Sequence, residues 1–177
     1  MASLTDKLAA LLKLLENAGI EAIVGGGLAL MFHVGEPRTT NDIDLQVYPT
    51  DGGIDALVRV LGTVVEVGPQ AIDQLHRIDQ ARLTWGLTPI DLFLPAAPFH
   101  FELRRRAVQV DFPGVDRPVP ILSATDLTIF KALFNRTKDW ADIEDMVRAG
   151  TPDLATAERT VREFGQREVA DRLSALR

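Results

Sequence analysis

GGGLALMFHVGEPRTTNDIDL, Gly25 to Leu45, is the stretch on which the reading of this chain turns. It joins a glycine turn after an apolar strand to an Asp-x-Asp pair, Asp42 and Asp44, on the next strand. Successive side chains of a strand point to opposite faces, so residues two apart share one face. Asp42 and Asp44 therefore project together, while Ile43, Leu45 and Val47 alternate with them toward the core. Two adjacent carboxylates repel each other unless a cation lies between them. Hard oxygen donors suit Mg²⁺, which takes one or two carboxylates and completes its shell with water and substrate phosphate. Glycines ahead of a helix offer backbone N–H groups at close range to a phosphate. A glycine triplet alone is often only a tight turn, and an Asp-x-Asp in a loop is usually a solvated pair. Joined in this order on an alternating strand, they point to nucleotide chemistry.

Upstream, Leu4, Leu8, Leu11, Leu12 and Leu15 recur at helical spacing, with Ser3 or Thr5 as cap and Gly19 as stop. Residues 21–24 then read as a short buried strand entering the glycines. Residues 28–34 read as an apolar helix stopped by Gly35 and Pro37, and 42–48 as the acid-bearing strand. A helix is predicted over 54–61, followed by a poorly patterned stretch. Strands follow at 82–85 and 90–94, joined through 86–89, and a second pair at 107–112 and 119–122. From Ser123 onward the pattern is helical: 126–134, 139–149, and a C-terminal region opened by Thr151-Pro152 and broken at Gly165. The predicted fold is α/β (α+β): a small mixed sheet with flanking helices, as a core over 1–122. A C-terminal helical region, 123–177, is expected to pack on that core as one compact unit.

The chain has 177 residues, 46% hydrophobic and 25% charged, as in an ordinary globular protein. It has no cysteine, which removes disulfides, thiolate catalysis and zinc–thiolate sites. Its histidines, His33, His76 and His100, lack ligand spacing, and His33 reads as a helix-end residue. Charged residues interrupt the N-terminal apolar positions, and no segment has the uncharged length of a membrane span. The expected location is cytoplasmic, with no membrane partner. The net charge of −6 arises wholly in residues 1–100, with 12 acidic and 6 basic residues; the remainder carries 13 of each. Such a chain is a poor non-specific binder of nucleic acid. Arg104-Arg105-Arg106 is the obvious basic cluster and keeps only a local RNA-binding edge open.

Phosphoryl or nucleotidyl transfer needs a further group to handle the attacking hydroxyl. Asp91, an acid inside the apolar run Pro89-Ile90-Asp91-Leu92-Phe93, is the candidate; an edge-strand charge facing water is its structural alternative. Its strand is expected beside that of Asp42 and Asp44, with all three acids on one side. Lys131 lies among Leu127, Ile129, Phe130 and Phe134, so its ammonium needs a directed partner. Asp139 could simply serve the N-terminus of its helix.

These residues resemble the polymerase-β-like nucleotidyltransferase superfamily, and most closely the AbiEii-type toxin nucleotidyltransferases. The resemblance lies in Gly25, Gly26 and Gly27, then Arg38, Thr40, Asp42, Ile43, Asp44 and Leu45. It continues in the later strand acid Asp91 and in Lys131, Lys138, Asp139, Asp142 and Ile143, so that it spans residues 20–147. It implies a two-metal Mg²⁺ reaction that transfers an NMP from an NTP to a hydroxyl and releases pyrophosphate. Asp42, Asp44 and Asp91 would be the catalytic and metal-binding acids. Gly25, Gly26, Gly27, Arg38, Thr40, Lys131 and Asp139 would bind the nucleotide. The family also implies a tRNA or protein acceptor and a cognate antitoxin as partner. The second residue of the glycine motif is Gly where toxin members commonly carry Ser, which removes one hydroxyl contact. The alternatives are an aminoglycoside-type nucleotidyltransferase acting on a small molecule, and a catalytically silent nucleotide-binding or regulatory partner.

Overall fold

The computed structural model describes residues 2–36, 39–50 and 52–177. Among them, six strands form one mixed sheet in the order β3-β4-β2-β1-β6-β5. The strands are β1 (Glu21–Val24), β2 (Ile43–Tyr48), β3 (Gln80–Trp85), β4 (Thr88–Phe93), β5 (Val108–Asp111) and β6 (Pro118–Ile121). The helices are α1 (Leu4–Asn17), α2 (Gly26–Val34), α3 (Gly53–Leu61), α4 (Pro69–Ile78) and α5 (Pro98–Arg106). Four more follow: α6 (Ala124–Phe134), α7 (Thr137–Arg148), α8 (Leu154–Glu163) and α9 (Arg167–Ser174). This is the expected mixed sheet with flanking and C-terminal helices. The chain divides into two compact units, Met1–Leu28 with Thr39–Ile121, and Ala29–Arg38 with Leu122–Arg177.

The first unit holds the whole sheet. Ile43, Leu45 and Val47 of β2 are fully buried, as are Ile90 and Leu92 of β4. Burial of each such side chain is worth about 1.5–3 kcal/mol, so the alternation fixes which face of each strand points inward. Helix α1 packs on β1 and α3, α3 on α4, and α4 on β3. Ser3 caps α1 by accepting from the Asp6 N–H at 3.1 Å, and the Asp6 carboxylate accepts the Ser3 N–H in return. Gly19 takes the left-handed conformation past the helix end, with φ +70°.

The stretch without a clear pattern contains α4, and α5 also lacked a readable stripe. Helix α4 buries Ala71 and Leu75, and α5 buries Leu103. Helix α5 is tied to the opposite sheet face from the one Ile43 and Leu45 occupy. The Tyr48 hydroxyl donates to the His100 carbonyl at 2.6 Å, and the Arg104 guanidinium lies 4.9 Å from the Tyr48 ring centre. The His100 ring accepts the Ala97 N–H through Nδ1 at 3.1 Å, which satisfies one open donor at the helix start.

Burial holds the His100 ring below its ordinary pKa of 6.5. The unfolded chain therefore binds the proton more readily, so this contribution is complete above the ordinary value and is lost as pH falls through and below it. Protonation also removes the acceptor for Ala97. The melting temperature should fall between about pH 7 and pH 5, with a shallower fall in H100Q. Equal slopes for the two proteins would exclude His100 as the source.

The second unit is helical apart from its joining segments. Ser123 caps α6, its hydroxyl oxygen accepting the Asp126 N–H at 3.1 Å. His33, in the last turn of α2, contacts the Leu122 carbonyl through Nε2 at 2.7 Å, in keeping with a helix-end role. Gly165, with φ +78°, separates α8 from α9. No helix among the described residues is long and apolar enough to cross a membrane.

Candidate active site

Strand β1 delivers the chain to Gly25, whose N–H donates to the Asp44 carbonyl at 2.9 Å. Gly26 then opens α2 with φ +55°, a conformation that L side chains rarely adopt. A Cβ at Gly26 would fall 1.8 Å from Asp44 Oδ2 and 2.4 Å from its carboxyl carbon. The glycine thus answers two demands at once, the turn and the close approach. The Asp44 carboxylate lies against the first turn of α2, where unpaired amides and the positive end of the helix dipole offset its charge.

A Cβ at Gly27 would meet the Thr40 side chain at 2.9 Å. The Thr40 hydroxyl, filling that space, donates to Asp42 Oδ1 at 2.6 Å. This contact supplies a hydroxyl beside the glycine turn although position 27 itself carries none.

Strands β2 and β4 run parallel with Asp44 opposite Asp91, and Ile43, Leu45, Ile90 and Leu92 directed to the other face. Strand β3 pairs antiparallel with β4 and sets Arg82 opposite Asp91. The Arg82 guanidinium grips Asp91 with both arms: Nε donates to Oδ1 at 2.7 Å and Nη2 to Oδ2 at 2.6 Å. Arg82 is made more basic first by that hydrogen bonding, then by the charge of Asp91 and, more weakly, of Asp42 and Asp44. Arg82 therefore sits in the field of all three acids. Further along the β2 face, Gln46 donates through Nε2 to the Phe93 carbonyl at 3.1 Å, and its Oε1 is buried with no partner among the described groups.

Among the described residues, no three His, Asp or Glu side chains are gathered closely enough to enclose a metal ion by themselves. The donor chemistry nevertheless fits Mg²⁺, which rarely uses an all-protein cage and keeps positions for water and phosphate. Asp42, just before β2, and Asp44 within it offer hard oxygens, with Asp91 on the neighbouring strand, beside a glycine turn with no Cβ in the way.

The sequence-predicted nucleotide groups Lys131 and Asp139 belong to the second unit. Lys131 is only 7% exposed, and its ammonium donates to Asp142 Oδ2 at 2.6 Å, with Asp139 Oδ1 at 3.9 Å. Asp139, 1% exposed, accepts from the Arg136 guanidinium at 2.6 and 3.0 Å and from the Arg136 N–H at 3.2 Å. The last contact makes it a helix-start acceptor for α7, the role its position suggested. Trp140 anchors the same turn, its indole N–H donating to Asn135 Oδ1 at 2.7 Å. Arg38, the remaining predicted nucleotide contact, lies outside the described residues.

Sequence reasoning passed over Arg82. Its signal was the two-residue turn Gly86-Leu87, which brings 82 opposite 91, whereas a turn drawn through Pro89 obscures that register.

Residues 10–174 match the family described as nucleotidyl transferase AbiEii toxin, type IV TA system. The chain belongs to the AbiEii family. No curated protein matches it. Among solved structures, this AbiEii nucleotidyltransferase is similar to the antibiotic-resistance factor ANT(2'')-Ia in solution, with TM-score 0.64 and 14% identity, covering 94% of this chain and 93% of that one. An antigenic nucleotidyltransferase-like protein from Paracoccidioides brasiliensis gives TM-score 0.61 and 21% identity, over 97% and 91% of the two chains. The lincosamide antibiotic adenylyltransferase LnuA, with lincomycin bound, gives 0.56 and 15%, over 79% and 94%. At these identities the likeness is one of fold. The AbiEii chain therefore has a nucleotidyltransferase-like fold.

Proposed function

We propose that this AbiEii nucleotidyltransferase transfers an NMP from an NTP to a hydroxyl, with release of pyrophosphate, on the sheet face that carries Asp42, Asp44 and Asp91. The reading is carried by the register of Asp44 beside Asp91, together with the glycine turn against which the Asp44 carboxylate lies. Asp42 and Asp44 would hold the metal and with it the triphosphate, and the Gly26 and Gly27 amides would donate to phosphate oxygens, the Gly25 N–H being engaged by the Asp44 carbonyl. Thr40 orients Asp42. Asp91 orients the acceptor hydroxyl and receives its proton as the new phosphodiester bond forms and pyrophosphate departs. Mg²⁺, when bound, supplies neutralisation of the triphosphate and of the leaving pyrophosphate. Lys131 and Asp139, in the second unit, lie within a cluster balanced by Asp142 and Arg136.

The acceptor is a tRNA or a protein, with a cognate antitoxin as regulator, in line with the family's toxin description. A small cationic acceptor is the second reading. It is favoured by the acid excess of residues 1–100 and by the likeness to ANT(2'')-Ia, a structure of which holds adenylyl-2''-tobramycin.

Calorimetry with each of the four NTPs and Mg²⁺ tests the reading. At least one should bind in the presence of metal, and labelled NTP should then modify tRNA or protein in preference to aminoglycosides. A folded sample that binds none of the four would refute the proposed activity.

A further inference from the structure

We infer that Arg82 is a resident counter-ion of the catalytic face, competing with a divalent cation for Asp91 and giving way when that cation binds. The inference rests on the proposed function, since it takes Asp91 to be a metal-binding acid.

Three observations carry it. Both oxygens of Asp91 are taken by one guanidinium, at 2.7 and 2.6 Å, so a cation can claim an oxygen only by breaking one arm of the fork. The same guanidinium, held chiefly by Asp91, also feels more weakly the charges of Asp42 and Asp44. The third is freedom to leave. The Arg82 side chain is 61% exposed against 17% for Asp91, and β3 is an edge strand of the sheet.

Without a cation, acids on adjacent strands would repel each other across the sheet. Arg82 relieves that repulsion. Once a divalent ion arrives, its charge replaces the compensation and repels the guanidinium, so the two cations exclude one another. The exposed Arg82 side chain has room to swing clear when a doubly charged ion takes its place at Asp91.

The test is Mn²⁺ calorimetry without nucleotide on the wild type, R82Q and R82K, with D44N as control. Mn²⁺ serves as a hard-cation probe for Mg²⁺. R82Q should bind Mn²⁺ about fivefold more tightly than the wild type, the scale set by an exposed ion pair. R82K, which keeps the charge but loses the fork, should fall between them. Saturating Mn²⁺ should raise the melting temperature of R82Q more than that of the wild type, a readout independent of turnover. Equal or weaker binding by R82Q, while D44N loses binding, would overturn the competition and leave the metal site standing. No binding by any of the proteins, even with NTP present, would overturn the metal reading and the counter-ion role with it.

Discussion

Asp44→Asn is expected to abolish nucleotide transfer, by about 10³-fold or more, while the protein melts at or above the wild-type temperature. Asp44 stands beside Asp91 in the sheet, so removing its charge relieves repulsion in the metal-free protein. The same substitution deletes a hard oxygen donor of the proposed metal site. Stability and activity should therefore move in opposite directions. The amide keeps the shape of the carboxylate against Gly26, so gross misfolding is not expected. Single-turnover assays with labelled NTP, read beside thermal melts with and without Mg²⁺, check both halves. A variant that unfolds, in a protein whose melting ignores metal, would make the acid structural.

Gly26→Ala should damage both fold and activity. The backbone there has φ +55°, which costs an L residue about 1–2 kcal/mol. Its Cβ would also land 1.8 Å from Asp44 Oδ2, too close for any side-chain packing. Asp44 must then turn away, or the first turn of α2 must shift, and either displaces the proposed metal ligand. We expect a loss of about 1–3 kcal/mol in denaturant unfolding and transfer near the level of Asp44→Asn. Gly35→Ala provides a comparison, since its φ is +71° but no atom lies within 4 Å of its Cβ position. If the two variants behave alike, backbone strain alone accounts for the effect and the contact with Asp44 is immaterial.

The central part of the fold was legible because its signals are local and redundant. Gly25 to Gly27 mark the turn, the alternation of Ile43, Leu45 and Val47 marks β2, and Ser123 and Gly165 punctuate the helical half. Helices α4 and α5 were less legible. Helix α5, which buries only Leu103, has an apolar stripe too thin to set a period, whereas α4 carries Ala71, Ile72, Leu75 and Ile78 at helical spacing; Pro69 and Pro98 at their first positions are helix-start signals in their own right. Asp91 could be singled out because an acid in an apolar strand needs a reason. Arg82 could not, since its importance depends on which residue faces it across a hairpin. Lys131 showed the converse limit. Its apolar neighbours implied a directed ammonium, but periodicity cannot tell that Asp142 receives it at 2.6 Å.

The pairing of Asp44 with Asp91 also carries a consequence for the order of assembly. Arg82 and Asp91 lie on one hairpin, closed by Gly86 and Leu87, and such a hairpin forms in about 1–10 μs. Asp44 joins Asp91 only when β4 docks parallel to β2, a pairing remote in sequence and slow by nature. The basic partner is thus already in hand when the acids are driven together. Electrostatic resistance to that docking is met by a charge carried in with the incoming strand, so the nascent sheet can close without waiting for an ion from solution.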